Sequence, residues 1–135
     1  MASEKANDMA LLILRLAVGV IIGAHGLQKI YGIWGGPGIE NFSNFIGSLG
    51  FEPPLVWAWA AALSEAIGGM LLVLGILPRL SALSIAATMG VAIYKVHWNG
   101  LFASNGGFEY PLLILCACVA IIIAGAGRIS VLDRL

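Results

Sequence analysis

Charge is what this chain has least of. Its 135 residues carry seven Lys+Arg and seven Asp+Glu, 10% of the whole, where soluble proteins carry about 25%. The two signs cancel, so no basic field exists to gather nucleic acid. Cysteine is limited to Cys116 and Cys118. On a helix, residues two apart point about 200° away from each other, so these two do not pair with one another. Apolar surroundings keep such thiols protonated and inert. The one glycine-rich stretch, Trp34-Gly35-Gly36-Pro37-Gly38, lacks the Lys-Ser/Thr of a phosphate-binding loop and reads as a turn. Glu-x-x-His pairs are missing as well, and His25 and His97 fall at unequal depths, so neither a carboxylate–histidine metal bundle nor a haem is expected.

What the chain does have is apolar sequence. Hydrophobic residues make up 60% of it, and the mean hydropathy is +0.97. That excess excludes disorder and exceeds what a small soluble core can bury. The expected fold is an all-α membrane protein, one domain over residues 1–135. Four spans are predicted, at about 11–31, 55–77, 80–98 and 110–127. The first, Leu11–Tyr31, would reach about 31 Å, the thickness of a hydrocarbon core. Pro78 and Arg79 predict a tight turn between spans two and three, making those helices antiparallel neighbours. Phe42, Phe45, Ile46 and Leu49, spaced by three and four, predict a short interfacial helix between spans one and two.

Positive charges set the expected orientation. With the N-terminus inside, Lys5, Arg15, Arg79, Arg128 and Arg134 fall on the cytoplasmic side, and only Lys29 and Lys95 on the other. Both termini are therefore expected in the cytoplasm of a multi-pass protein of the inner (plasma) membrane. Glu4 and Asp8 dilute the N-terminal charge, and the run after them is too long for a cleaved signal.

An ionisable group in a membrane is costly, so the face it occupies is informative. At 100° per residue, Ala58, Ala61, Gly68 and Gly69 fall within about 60° of Glu65. Gly19 and Gly26 fall within about 40° of Arg15, with Lys29 along the same stripe. Ala86 and Gly90 share the face of His97, and Cys116 and Ala120 that of Glu109. Small residues mark helix contacts, so every span is expected to turn its charge inward. His25, Gln28, Lys29, Lys95, His97, Glu109 and Tyr110 belong to the outer half, with Glu65 near mid-membrane leaning towards His25. Arg15 is expected to snorkel to the inner surface as an anchor. Trp34, Trp57, Trp59 and Trp98 are expected in an outer aromatic belt.

The run Arg15-Leu-Ala-Val-Gly19…His25-Gly26-Leu-Gln28-Lys29 resembles the first helix of the DoxX family. So do Trp34-Gly-Gly-Pro-Gly38, Glu65-Ala-Ile-Gly68-Gly69 followed by Leu-Gly-Ile-Leu-Pro-Arg79, His97 with Asn99-Gly100, and Asn105-Gly-Gly-Phe-Glu109-Tyr110-Pro111. The resemblance runs from about Leu11 to Leu135. It implies a four-helix inner-membrane protein associated with oxidoreduction, with quinone or a similar lipophilic redox substrate as the ligand.

Under that reading His25 and Glu65 handle protons, while Gln28, Lys29, Lys95, His97, Glu109 and Tyr110 contact substrate at the cavity mouth. Arg15, Gly19, Gly26, Gly68, Gly69 and Arg79 are structural. The expected partners are the lipid bilayer, other membrane or redox subunits, or a second copy of the chain. Two alternatives stay open. The chain is also readable as a non-catalytic subunit anchoring a larger complex, with the polar residues as interhelical glue. It is also readable as a small permease, although it has no internal repeat.

Overall fold

The computed structural model describes residues 1–132, so Arg134 of the charge count lies outside the described residues. Helices α1 (Ala2–Tyr31), α2 (Gly38–Ser48), α3 (Pro54–Leu74), α4 (Pro78–Lys95) and α5 (Glu109–Ala124) account for most of it. Single 3₁₀ turns sit at Ile33–Gly35 and Ala103–Asn105, and no strand occurs among the described residues. Helices α1 and α3 are long and apolar enough to cross a membrane. Helix α4 has 18 residues and α5 has 16.

The ends of these helices differ from the predicted spans for local reasons. Helix α1 starts at Ala2, because polar residues such as Glu4 and Asp8 extend a helix beyond its apolar stretch without breaking it. Helix α3 stops at Leu74 and not at Leu77, because Gly75 turns left-handed (φ 72°). The turn before α4 is therefore Gly75–Leu77, and Pro78 is the first residue of the helix, where its missing N–H costs nothing. Val96 ends α4 before Trp98, and Gly125 (φ 84°) ends α5 before residue 127.

Packing pairs the helices in series, as the contacts across each seam show. Gly19 meets Gly69 and Val73, whereas Gly26, further along α1, meets Ala66, so α1 and α3 run antiparallel. Ser64 faces Thr88 and Gly68 faces Ser81 and Ile85, so α3 and α4 are antiparallel too. Helix α5 completes the sequence by packing on α4 and α1. One core joins Val18 and Ile22 of α1, Leu72 of α3, Ile85 and Met89 of α4, and Ile114, Cys118 and Ile121 of α5. A second, smaller one seats Phe42 of α2 on Ala58 and Ala62 of α3. The predicted short helix thus exists, but Leu49 lies just past its end, and Phe42 points into protein.

The two adjacent glycines of α3 serve different neighbours. A Cβ on Gly69 would stand 2.6 Å from both the Gly19 carbonyl oxygen and the Gly23 nitrogen, so α1 and α3 are in backbone contact there. A Cβ on Gly68 would meet the Ile85 side chain at 3.3 Å and the Ser81 carbonyl oxygen at 3.6 Å, without a backbone clash. Gly69→Ala should therefore lose about 1–3 kcal/mol by forcing the helices apart. Gly90→Ala, where nothing lies within 4 Å, should gain up to about 1 kcal/mol from lower chain entropy in the unfolded state. Thermal unfolding of both variants in the same detergent checks this, and equal midpoints would contradict the seam.

Candidate functional site

The close contact of α1 and α3 brings one long side chain onto one short one. Lys29 Nζ donates to both carboxylate oxygens of Glu65 at 2.6 Å. Glu65 is 1% exposed and Lys29 23%. Because donor and acceptor are both charged and the carboxylate is buried, this is the strong kind of hydrogen bond. Its loss is asymmetric: removing one partner strands the other, which in buried sites costs about 3–5 kcal/mol. The Lys29 ammonium also sits 5.0 Å above the centre of the Phe42 ring, so α2 covers it with a π face. Glu65 was expected to lean towards His25. It is held by Lys29 instead, because Gly26 packs against Ala66 and the four-carbon lysine stem reaches back along that seam.

The pair forms part of the wall of a cavity of about 620 Å³, within the size range of small-molecule pockets. All five helices contribute, and most of the lining is apolar: Ile22, Phe42, Ile46, Trp57, Met89 and Pro111 are representative. The polar lining is confined to His25, Lys29, Glu65, His97, Tyr110 and three hydroxyl residues. The rings of His25 and Tyr110 lie 5.8 Å apart and tilted, a contact between α1 and α5. His97 hydrogen-bonds the Gly106 carbonyl through Nδ1 at 3.1 Å, which leaves Nε2 as the acceptor of the neutral ring.

Five of the predicted residues thus meet in one place, and three do not line it. Gln28 donates to the Trp34 carbonyl at 3.1 Å and shapes the turn after α1. Lys95 is exposed, its ammonium 5.6 Å from the centre of the Phe51 ring. Glu109 is exposed and accepts the Ala103 N–H at 2.8 Å, tying the α4–α5 loop to the start of α5. The inward face of α5 is Pro111, Ile114, Cys118 and Ile121, whereas Cys116 and Ala120 are exposed. Glu109, Cys116 and Ala120 do share one face, as the 100° step predicts, but that face is turned outward and not inward. Trp57, expected in an outer belt, lines the cavity.

The hydroxyl group was not foreseen. Ser64 Oγ and Ser84 Oγ are 2.6 Å apart, and Thr88 Oγ1 lies 3.2 Å from Ser64 Oγ and 3.1 Å from the Ser84 carbonyl. The signal was present, since Ser84 and Thr88 are four apart and side-chain hydroxyls in membrane helices bond across seams.

Away from the cavity, Arg15 does not snorkel. It is fully buried, donating to the Leu72 carbonyl at 3.3 Å and to the Ile129 carbonyl, while its Nε has no partner. The carbonyls at the end of α3 need donors, and a buried guanidinium supplies several. Arg79 likewise donates to the Ile122 carbonyl at 3.1 Å. Arg128 bridges to Glu4 and Asp8 of α1. This end of the molecule is tied shut by the segment after α5.

The family model described as DoxX matches residues 10–98. A Bacillus subtilis protein named "Putative oxidoreductase CatD" is 33% identical over 111 residues, 82% of this chain and 77% of its own. The Escherichia coli protein named "Inner membrane protein YphA" is 32% identical, covering 96% of this chain and 91% of its own. An uncharacterised protein of Haemophilus influenzae is 33% identical over 96% of this chain and 84% of its own. No solved structure matches the chain.

Proposed function

The chain belongs to the DoxX family of membrane proteins, and from that premise we propose that it is a quinone-binding module of a membrane oxidoreductase. Four helices, α1, α3, α4 and α5, cross the bilayer, and α2 lies at the outer interface. At 1.5 Å per residue α4 and α5 span about 27 and 24 Å, which a locally thinned bilayer accommodates. The observation that carries the reading is the apolar cavity with a buried ion pair in its wall. Apolar walls suit a lipophilic ring, and a few fixed polar groups orient it.

Reduction of a quinone to its quinol takes two electrons and two protons. The electrons come from a partner subunit or a diffusing donor, and this chain supplies the pocket and the protons. His25, an imidazole able to take and give a proton, stands beside Tyr110. The Lys29–Glu65 pair holds an ammonium proton against a carboxylate in the same wall. Tying the other end shut with Arg15 and Arg128 favours a pocket open on one side over a path through the protein.

Proton chemistry and interhelical glue separate when the pair is removed as a pair. Glu65→Gln leaves the Lys29 charge unmatched and should lower both stability and turnover. The double variant Lys29→Met/Glu65→Leu removes both charges and should recover most of the stability. Its quinone reduction, measured in membranes differing in this chain alone, should stay about 10²–10⁴-fold down. Recovery of turnover to near the unmodified level would leave the pair a structural element only.

The orientation proposed is both termini in the cytoplasm. Arg15, Arg79 and Arg128 gather at one end of the helices and Lys29 and Lys95 at the other, the asymmetry expected across a bacterial membrane. Green fluorescent protein fused at the C-terminus should fluoresce, and alkaline phosphatase fused there should be inactive. The reverse pattern would place the cavity on the cytoplasmic side.

A further inference from the structure

The Lys29–Glu65 pair and the hydroxyl cluster occupy two different seams of the same cavity. Glu65 turns to the α1–α3 seam, and its neighbour Ser64 turns to the α3–α4 seam, where Ser84 and Thr88 meet it. Both sets line the one 620 Å³ space. A molecule filling it can therefore meet polar groups at either seam.

The hydroxyls also carry more donors than they use. Three side chains bring three O–H protons. One is consumed between Ser64 and Ser84 at 2.6 Å, whichever of them donates. One is consumed by Thr88, whose single proton goes either to Ser64 Oγ at 3.2 Å or to the Ser84 carbonyl at 3.1 Å. The third belongs to a serine that already accepts from its neighbour, and no protein acceptor is bonded to it. That proton sits at the cavity wall, on Ser64, which is half-buried, or on Ser84, which is exposed, and is free to be given to a molecule in the cavity.

We propose that Ser64, Ser84 and Thr88 form a second recognition pole, which donates a hydrogen bond to an oxygen acceptor on the far side of the ligand from Lys29, Glu65 and His25. The cavity then selects flat apolar molecules with an oxygen at each end, such as para-quinones, over those with one oxygen. This rests on the cavity being a ligand site, and it adds which residues set the ligand's chemistry. The residues are positioning groups, not proton donors in the reaction.

The full-length protein in lipid nanodiscs tests it with two probes, menadione, which has two para carbonyls, and 1-tetralone, which has a similar fused-ring skeleton and one carbonyl. Binding is followed through tryptophan quenching, since Trp57 lines the cavity. The unmodified protein should bind menadione more tightly. In Ser64→Ala/Ser84→Ala, Thr88 keeps its bond to the residue 84 carbonyl and no spare donor remains. Menadione affinity should then fall about tenfold, the worth of one hydrogen bond, with tetralone affinity unchanged. Equal losses for both probes, or none for menadione, would overturn the second pole while leaving the cavity a ligand site. No binding of either probe to the unmodified protein would overturn the ligand site itself, and the second pole with it.

A measurement without variants guards against a double variant that fails to fold. In infrared difference spectra of menadione labelled with ¹³C at one carbonyl and then the other, both carbonyl bands should shift to lower frequency on binding. One shifted band and one unshifted band would overturn the proposal.

Discussion

The backbone contact between α1 and α3 is the constraint on which the rest depends. Gly19, Gly23 and Gly69 leave no side chain between the helices at their closest point, and Gly26 fits against Ala66 in the same way. Helices in lipid gain little from hydrophobic burial against one another, so such close van der Waals approach is a main source of their association. It also sets distances. Only with the two axes this near does the lysine at position 29 reach the carboxylate at position 65, and only then is that carboxylate shielded enough to matter. A wider seam would admit water or lipid beside Glu65 and weaken the pair.

The cavity follows from what fills the seams elsewhere. Small residues such as Ala60, Ala61 and Ala87 line the wall and leave room that large ones would occupy. Helix α2 roofs the ion pair with Phe42, and Trp57 and Phe51 pack together beside it. At the opposite end the arginines hold the chain segments together. Arg15 satisfies carbonyls of α3 and of the segment after α5, and Arg128 clasps the start of α1. One end is a largely apolar pocket with an ion pair in its wall, and the other a set of arginine clamps.

Much of this was legible in the sequence, for reasons that can be named. Helix number and order were readable because apolar runs separated by Gly and Pro turns leave few alternatives. The inward faces of α1 and α3 were readable because charge and glycine fall on one stripe, as with Arg15, Gly19, Gly26 and Lys29. Pairing within those faces was not. Whether Glu65 meets His25 or Lys29 depends on the vertical offset of two helices, which periodicity does not carry. Arg15 was misread because a terminal arginine in lipid usually snorkels, and the carbonyls that hold it come from residues 57 and 114 positions away. Helix α5 is apolar nearly all round, so its pattern marks no inward face, and Glu109 was assigned one that it does not have. The Ser64, Ser84 and Thr88 cluster escaped notice because attention to charge passes over neutral hydroxyls.

Photo-crosslinking with an azido-quinone in native membranes tests the central claim most directly, because it asks where the ligand sits and requires no assumption about its electron donor. Label should fall on cavity residues such as His25, Trp57, Thr88 and His97, and excess unlabelled quinone should suppress it. Label spread over the outward, lipid-facing residues, such as Ile13, Leu83, Leu113 and Ile123, and indifferent to competitor would contradict the account.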